Sequence, residues 1–402
     1  MPGDLKVVVC GGGNAAHTMA GLAASRQNTD VRVFDLFSDE AERWAKALGN
    51  DDLTVSVHRE GKITDIKSKP NVITNDPSKS LPGADIIIIA VPAFAHAAYL
   101  DAIKSYLKPG LIIVATPGQP GFEFEVKSKL GEGVSQCNVV CIETLPWACR
   151  IKEFGRQVEI LGCKVSMTGA IKYADPPAGP DPQDTFQFLL GPEPVLNIKG
   201  HLLAVSLMSV NSYLHSAILY GRWGPEVWDG TPVAEAPLFY QGLDEHSTDI
   251  LDAMTREVVS IAKMVTAKRQ NVDMSTVVHI HDWYTTVYAA DITDPTTLQS
   301  TLKTNKAYNG LRHPCVPAGD GKVLPDFSHR YLGEDIPYGL TVTKGIAEIV
   351  GTPVPVTDMV LKWCQEKMGK EYLVDGKLVG KDVASTRAPQ KYGFYTLDDI
   401  LN

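Results

Sequence analysis

The chain has 402 residues, a formal net charge of -9 and a pI near 5.6. That length exceeds what one hydrophobic core usually spans, so two domains are expected, and the acidic balance without long runs of like charge argues against nucleic acid or an anionic membrane as principal partner. Seven cysteines, an odd number, lack CxxC pairing, and the gaps among Cys137, Cys141, Cys149 and Cys163 do not match a zinc site; they read as reduced thiols with no metal.

The apolar stretch "KVVVC" begins almost at Met1 and leaves no room for a signal peptide, so a cytoplasmic protein is expected. From Leu5 to about Gly162, "KVVVC", "DVRVFD", "ADIIIIAV", "LIIVAT" and "NVVCIETL" alternate with helix-like segments. Such continuous apolar strands predict a parallel sheet covered on both faces. Directly after the first run, "VVVCGGGNAAH" supplies Gly11-x-Gly13-x-x-Ala16, with Asn14 and Ala15 inside the motif. The first glycine allows the tight turn, the second lets backbone approach a pyrophosphate, and the small Ala16 lets helix pack on strand. Asp35 ends the second run, where a carboxylate can accept from adenosine ribose hydroxyls and repel a 2'-phosphate. NAD(H) is therefore expected in preference to NADP(H), with Arg43 the nearest following cation.

Further on, "LTVSVHREGKITDIKS" alternates around a Glu-Gly turn and predicts a hairpin appended to the sheet. Prolines 176, 177, 180, 182, 192 and 194 then discourage long regular elements and suggest a surface excursion before a hinge near Gly200. The division is thus an α/β Rossmann-type domain over 1–199 and a mainly α-helical domain over 200–402.

In the second half the apolar window Leu202–Tyr220 contains Asn211, His215 and several serines, which suits a buried helix of a soluble protein better than a membrane span. Asn211, Ser212, His215 and Ser216 form a polar stripe at helical spacing that can line a cleft, and Arg222 continues it if Gly221 does not end the helix. Histidine titrates near neutral pH, as hydride chemistry coupled to proton transfer requires; a satisfied core histidine has the same spacing. "STDILDAMTREVVSIAKMVTAK" places Ile250, Met254, Val258, Ile261 and Val265 on one helix face. "HIH" at 279–281 suits a metal poorly, since that region reads as helical, and "TNKAYNGLRHPCVPAGDGK" reads as loop.

The stretches "GGGNAAHTMAGLAAS", "ETLPWACRIKEFGR", "HSAILYGRWG", "EAPLFYQG", "HRYLGEDIPYGL", "GKEYLVDG" and "STRAPQKYGF" closely resemble the octopine dehydrogenase family along nearly the whole chain. The resemblance implies a Rossmann domain joined across a cleft to an α-helical opine dehydrogenase domain. It implies NADH-dependent condensation of an amino acid with pyruvate, NAD regeneration in anaerobic glycolysis, and a monomer. Carried over by motif, His215 is the catalytic histidine and Asp335 its acidic partner; Glu143, Cys149 and Trp283 surround the amino acid, Gln119 and Thr144 lie near pyruvate, and Arg330 reaches the cofactor pyrophosphate. Asn211 stands where octopine-forming members carry an aromatic residue, which leaves arginine, taurine, alanine, β-alanine and glycine open as amine partners. Two further readings are a non-catalytic dinucleotide sensor and a reductase of 2-oxo acids that needs no amine.

Overall fold

β-Branched runs form strands where a pleated surface is packed from both sides. In the computed structural model, which describes residues 4–401, the strands of the N-terminal half are β1 (Leu5–Cys10), β2 (Thr29–Phe34), β3 (Leu53–Arg59), β4 (Lys62–Ser68), β5 (Val72–Thr74), β6 (Ile86–Ile89), β7 (Ile112–Ala115), β8 (Asn138–Ile142), β9 (Trp147–Glu153), β10 (Gln157–Cys163), β11 (Ser166–Lys172) and β12 (Val195–Ile198). The chain divides into two compact units, Met1–Val205 and Ser206–Asn402.

The first unit is built on an eight-stranded sheet of order β12-β11-β8-β7-β6-β1-β2-β5. From β5 to β8 the pairing is parallel, with Val7 of β1 opposite Val31 of β2 and Ile86 of β6. β11 turns antiparallel against β8 and carries β12 beside it. Burial on both faces is visible within one strand: Val7 and Val9 join one apolar core while Val8 and Cys10 join the other. Strand order reverses at β1, between β2 and β6, and the crevice beyond the carboxyl ends of strands at such a point is where open α/β sheets hold ligands.

One expectation needs correction. The hairpin β3-β4 forms, but in a separate four-stranded sheet of order β4-β3-β10-β9 rather than as an appendage of the main one. Its alternating pattern buries only one face, and Leu53, Val55, Val158 and Ile160 use that face to cover the core cluster that contains Val7 and Val9. The proline-rich stretch carries one short helix, Pro182–Leu190, because Pro182 occupies the first turn, where no N–H partner is lost, and Asp181 caps the end by accepting from the Asp184 N–H at 2.9 Å.

The second unit is mainly helical, with helices Val210–Trp223, Glu245–Lys268, Ile280–Val287, Thr341–Val350 and Pro355–Met368. Ile250, Met254, Val258, Ile261 and Val265 are all buried on Glu245–Lys268, as the periodicity requires. Within Leu202–Trp223, 89% of the apolar 18-residue stretch is buried, which is how a core segment behaves. Within the expected loop after residue 304, Cys315–Pro317 and Val323–Pro325 pair as a small antiparallel hairpin around Gly319, Asp320 and Gly321, all with positive φ.

Candidate active site

At the carboxyl end of β1 the chain turns through Gly11 at φ +110, a conformation that glycine alone adopts readily. A Cβ there would lie 2.5 Å from Val91 Cγ1. Gly13 caps α1 (Asn14–Ala24) in extended geometry, and a Cβ on it would meet nothing within 4 Å, so this side of the loop is open. α1 has no acidic residue in its first turn, which leaves its positive end without an internal counter-charge. Ala16 is fully buried against the sheet and Ala15 half-buried. Asn14 uses its side-chain oxygen on the Ile151 N–H of β9 at 2.8 Å, tying the glycine loop to the second sheet.

Asp35 follows β2 and is fully buried. Its Oδ1 accepts from the Tyr99 hydroxyl at 3.0 Å and the Phe37 N–H at 3.1 Å, while Oδ2 has no partner. An unpaired carboxylate oxygen in such a place is costly unless a ligand donates to it. The open glycine turn, the uncompensated helix end and this oxygen together fit a dinucleotide.

Gln119, Glu143 and Thr144 are half-buried in the segments that follow β7 and β8. Because β1, β2, β7 and β8 run parallel, these residues lie at the same sheet edge as the glycine turn and Asp35. Cys149 sits apart on β9, 3% exposed in the core, and burial raises its thiol above the usual range. That environment keeps the sulfur protonated and makes it a poor nucleophile.

In the second unit, Val210–Trp223 runs unbroken past Gly221, whose missing Cβ lets the helix approach Ser247 on Glu245–Lys268. The polar stripe divides by role. The hydroxyls of Ser212 and Ser216 bond back to the carbonyls of Ser209 at 2.8 Å and Ser212 at 2.7 Å, Asn211 is exposed, and the exposed Arg222 lies over Trp223 at 5.3 Å. His215 alone among them turns to a carboxylate. It is 6% exposed, with Nδ1 2.7 Å from Asp335 Oδ2 and Nε2 3.1 Å from the Tyr240 hydroxyl. An ionised carboxylate can only accept, so Asp335 fixes the proton on Nδ1 and leaves Nε2 to accept from Tyr240. Tyr331 stacks on the ring at 3.9 Å.

Tyr240 and Tyr331 are absent from the residues singled out in the sequence, although both lie in the motifs "EAPLFYQG" and "HRYLGEDIPYGL". Burial raises both phenols above their usual range, so each remains a hydrogen-bond donor. Tyr240 also stacks on Tyr308 at 3.9 Å, and Tyr308 meets Tyr284, which packs edge-on to Trp283 at 5.1 Å. Trp283 is thereby linked to His215 through aromatic rings. Arg330 opens the helix Arg330–Gly333, is 68% exposed and pairs with Glu334 at 2.8 Å. His279 caps the helix Ile280–Val287 and pairs with Asp252 at 3.2 Å.

Residues 198–368 match the model of the NAD/NADP octopine/nopaline dehydrogenase α-helical domain. The chain is 50% identical over 396 residues to the tauropine dehydrogenase of Arabella iricolor, covering 98% of this chain and 99% of that one. A solved octopine dehydrogenase with NADH and L-arginine superimposes with a TM-score of 0.95 at 51% identity, covering 99% of this chain and 98% of its own. The same enzyme with NADH and pyruvate gives 0.91 at 50% identity over the same shares. With this similarity running from the glycine turn through the helical unit, the chain belongs to the octopine dehydrogenase family of nicotinamide-dependent oxidoreductases.

Proposed function

We propose that the chain catalyses NADH-dependent reductive condensation of an amino acid with pyruvate, and the reverse oxidation, so regenerating NAD when glycolysis runs without oxygen. The observation that carries this reading is the hydrogen-bonded line Asp335–His215–Tyr240 inside the unit matched by the family model. The relatives solved with NADH, with L-arginine and with pyruvate support it.

The glycine turn at Gly11 and Gly13, the start of α1 and Asp35 would hold the dinucleotide, and Arg330 would bind its pyrophosphate. When bound, NADH supplies the hydride that reduces the imine. His215 removes a proton from the incoming ammonium group at Nε2, and later returns one to the hydroxyl of the carbinolamine so that water can leave. Asp335 stabilises the imidazolium formed between these steps and keeps the ring in one tautomer. Tyr240 meets Nε2 until substrate arrives. Gln119 and Thr144 are assigned to pyruvate, and Glu143, Cys149, Asn211 and Trp283 to the amino acid, with the buried Cys149 acting as wall rather than reactant.

Mixing the purified chain with NADH, pyruvate and each of arginine, taurine, alanine, β-alanine and glycine, and following absorbance, tests this. Oxidation that needs both pyruvate and one amine is expected. Oxidation with pyruvate alone would instead identify a 2-oxo acid reductase, and no oxidation with any amine would refute the reading.

A further inference from the structure

The ribose end of the cofactor cradle contains a second carboxylate. Asp35 can offer a ribose only Oδ2, because Oδ1 already accepts from Tyr99 and Phe37. Two neighbouring ribose hydroxyls present two donors, and each would have a charged acceptor of its own if a second carboxylate oxygen stood beside Oδ2. Glu40 stands where it could supply it. A Cβ placed on Gly12 would run into Asp35 Oδ2 and would also lie 2.6 Å from Glu40 Oε2, so both oxygens converge over the glycine turn. Glu40 opens α2 (Glu40–Leu48), and its side chain is 35% exposed, hence accessible to a ligand. Burial, followed by the Asp35 carboxyl beside it, raises the Glu40 carboxyl above its usual range, as expected of two acids directed at one point.

The same residue also controls a nearby cation. Arg43 is the side chain that could receive a 2'-phosphate, yet its Nε is 3.0 Å from Asp39, its Nη2 is 3.6 Å from Glu40 Oε1, and its guanidinium lies 4.9 Å over the Phe154 ring. Its charge is thus compensated and its plane is held against an aromatic face.

We propose that Glu40 is a specificity-determining residue for the cofactor: it accepts from the second hydroxyl of the adenosine ribose beside Asp35 and, with its own charge and its hold on Arg43, excludes a 2'-phosphate. Glu40 lies at the helix start after the strand-end acid of the dinucleotide fingerprint, so the motif does not include it.

Dissociation constants of the full chain for NADH and NADPH, measured by nucleotide fluorescence without substrates, test the proposal. Glu40→Ala removes the acceptor and should weaken NADH on the order of tenfold, the scale of one charge-assisted hydrogen bond. Glu40→Gln keeps the size but removes the charge, and should lower the ratio of the NADPH to the NADH constant on the order of tenfold. Melting temperatures recorded alongside should match the parent, since the side chain is part-exposed. Unchanged constants in both variants would overturn the proposal, and so would equal weakening of both cofactors, which would mark Glu40 as a support of the loop without a part in the choice.

Discussion

His215 and Asp335 are far apart in sequence, yet their 2.7 Å contact gives one imidazole nitrogen a fixed proton and leaves the other to accept from Tyr240. If that pair performs the proton transfers, His215→Ala should lose roughly 100-fold or more in turnover while NADH affinity and fold persist. A protein that is only less stable, with the folded fraction turning over normally, would return the ring to a packing role. Asp335→Asn combined with His215→Ala should cost less than the product of the single losses, because both act through one ring. Turnover of the double variant equal to that product would refute the pairing. His17 makes a different prediction. It is fully buried, stacked on Trp44 at 3.5 Å, with Nδ1 3.1 Å from the Gly13 carbonyl and Nε2 accepting from the Gly155 N–H at 3.1 Å. Burial pushes it down to about 4. The folded state therefore resists a proton that the unfolded chain takes up near 6.5, so stability falls as pH drops from about 6.5 towards 4, by on the order of 3 kcal/mol. His17→Gln should be less stable at pH 7 but flatter across this window, read from melts at pH 7 and 4.5; parallel pH profiles for the two proteins would exclude His17 as the source.

Among elements, the strands and long helices follow from periodicity, whereas their partners do not. Alternation in β3 and β4 specifies one buried face but not which sheet they join, and β10 settles that by pairing with β3 across a long sequence separation. The helix at Pro182 shows proline as an initiator rather than a breaker, decided by the Asp181 cap. Helices approach closely at Gly221, where a Cβ would lie 2.6 Å from Ser247 Cβ. Gly221→Ala should destabilise the helical unit by about 1 to 3 kcal/mol through overpacking, despite alanine's better helix propensity. Denaturant titration followed by a probe in residues 206–402 would show this, and an unchanged or raised midpoint would mean that the helices separate without cost.

At the scale of the whole molecule, cofactor binding should appear as stability. NADH at about 100 times its dissociation constant adds roughly 2.7 kcal/mol to a state that alone binds it, and NADPH at the same concentration should add less. Equal shifts in calorimetry would contradict the reading of Asp35. The sequence by itself determined the nucleotide turn, the acid after β2, the α/β character of the first half and the helical character of the second, because each is written in neighbouring residues through backbone conformation and periodicity. Family resemblance pointed to His215 and Asp335 as a pair, which spacing alone left equivalent to a core histidine and a turn residue. Only the tertiary structure decided that Asn14 anchors the loop, that Cys149 is enclosed, that Tyr240 and Tyr331 hold the His215 ring, and that Glu40 joins Asp35 over Gly12. Those are contacts between segments distant along the chain, and their geometry is set by how helices and sheets pack, which no local pattern of residue types encodes.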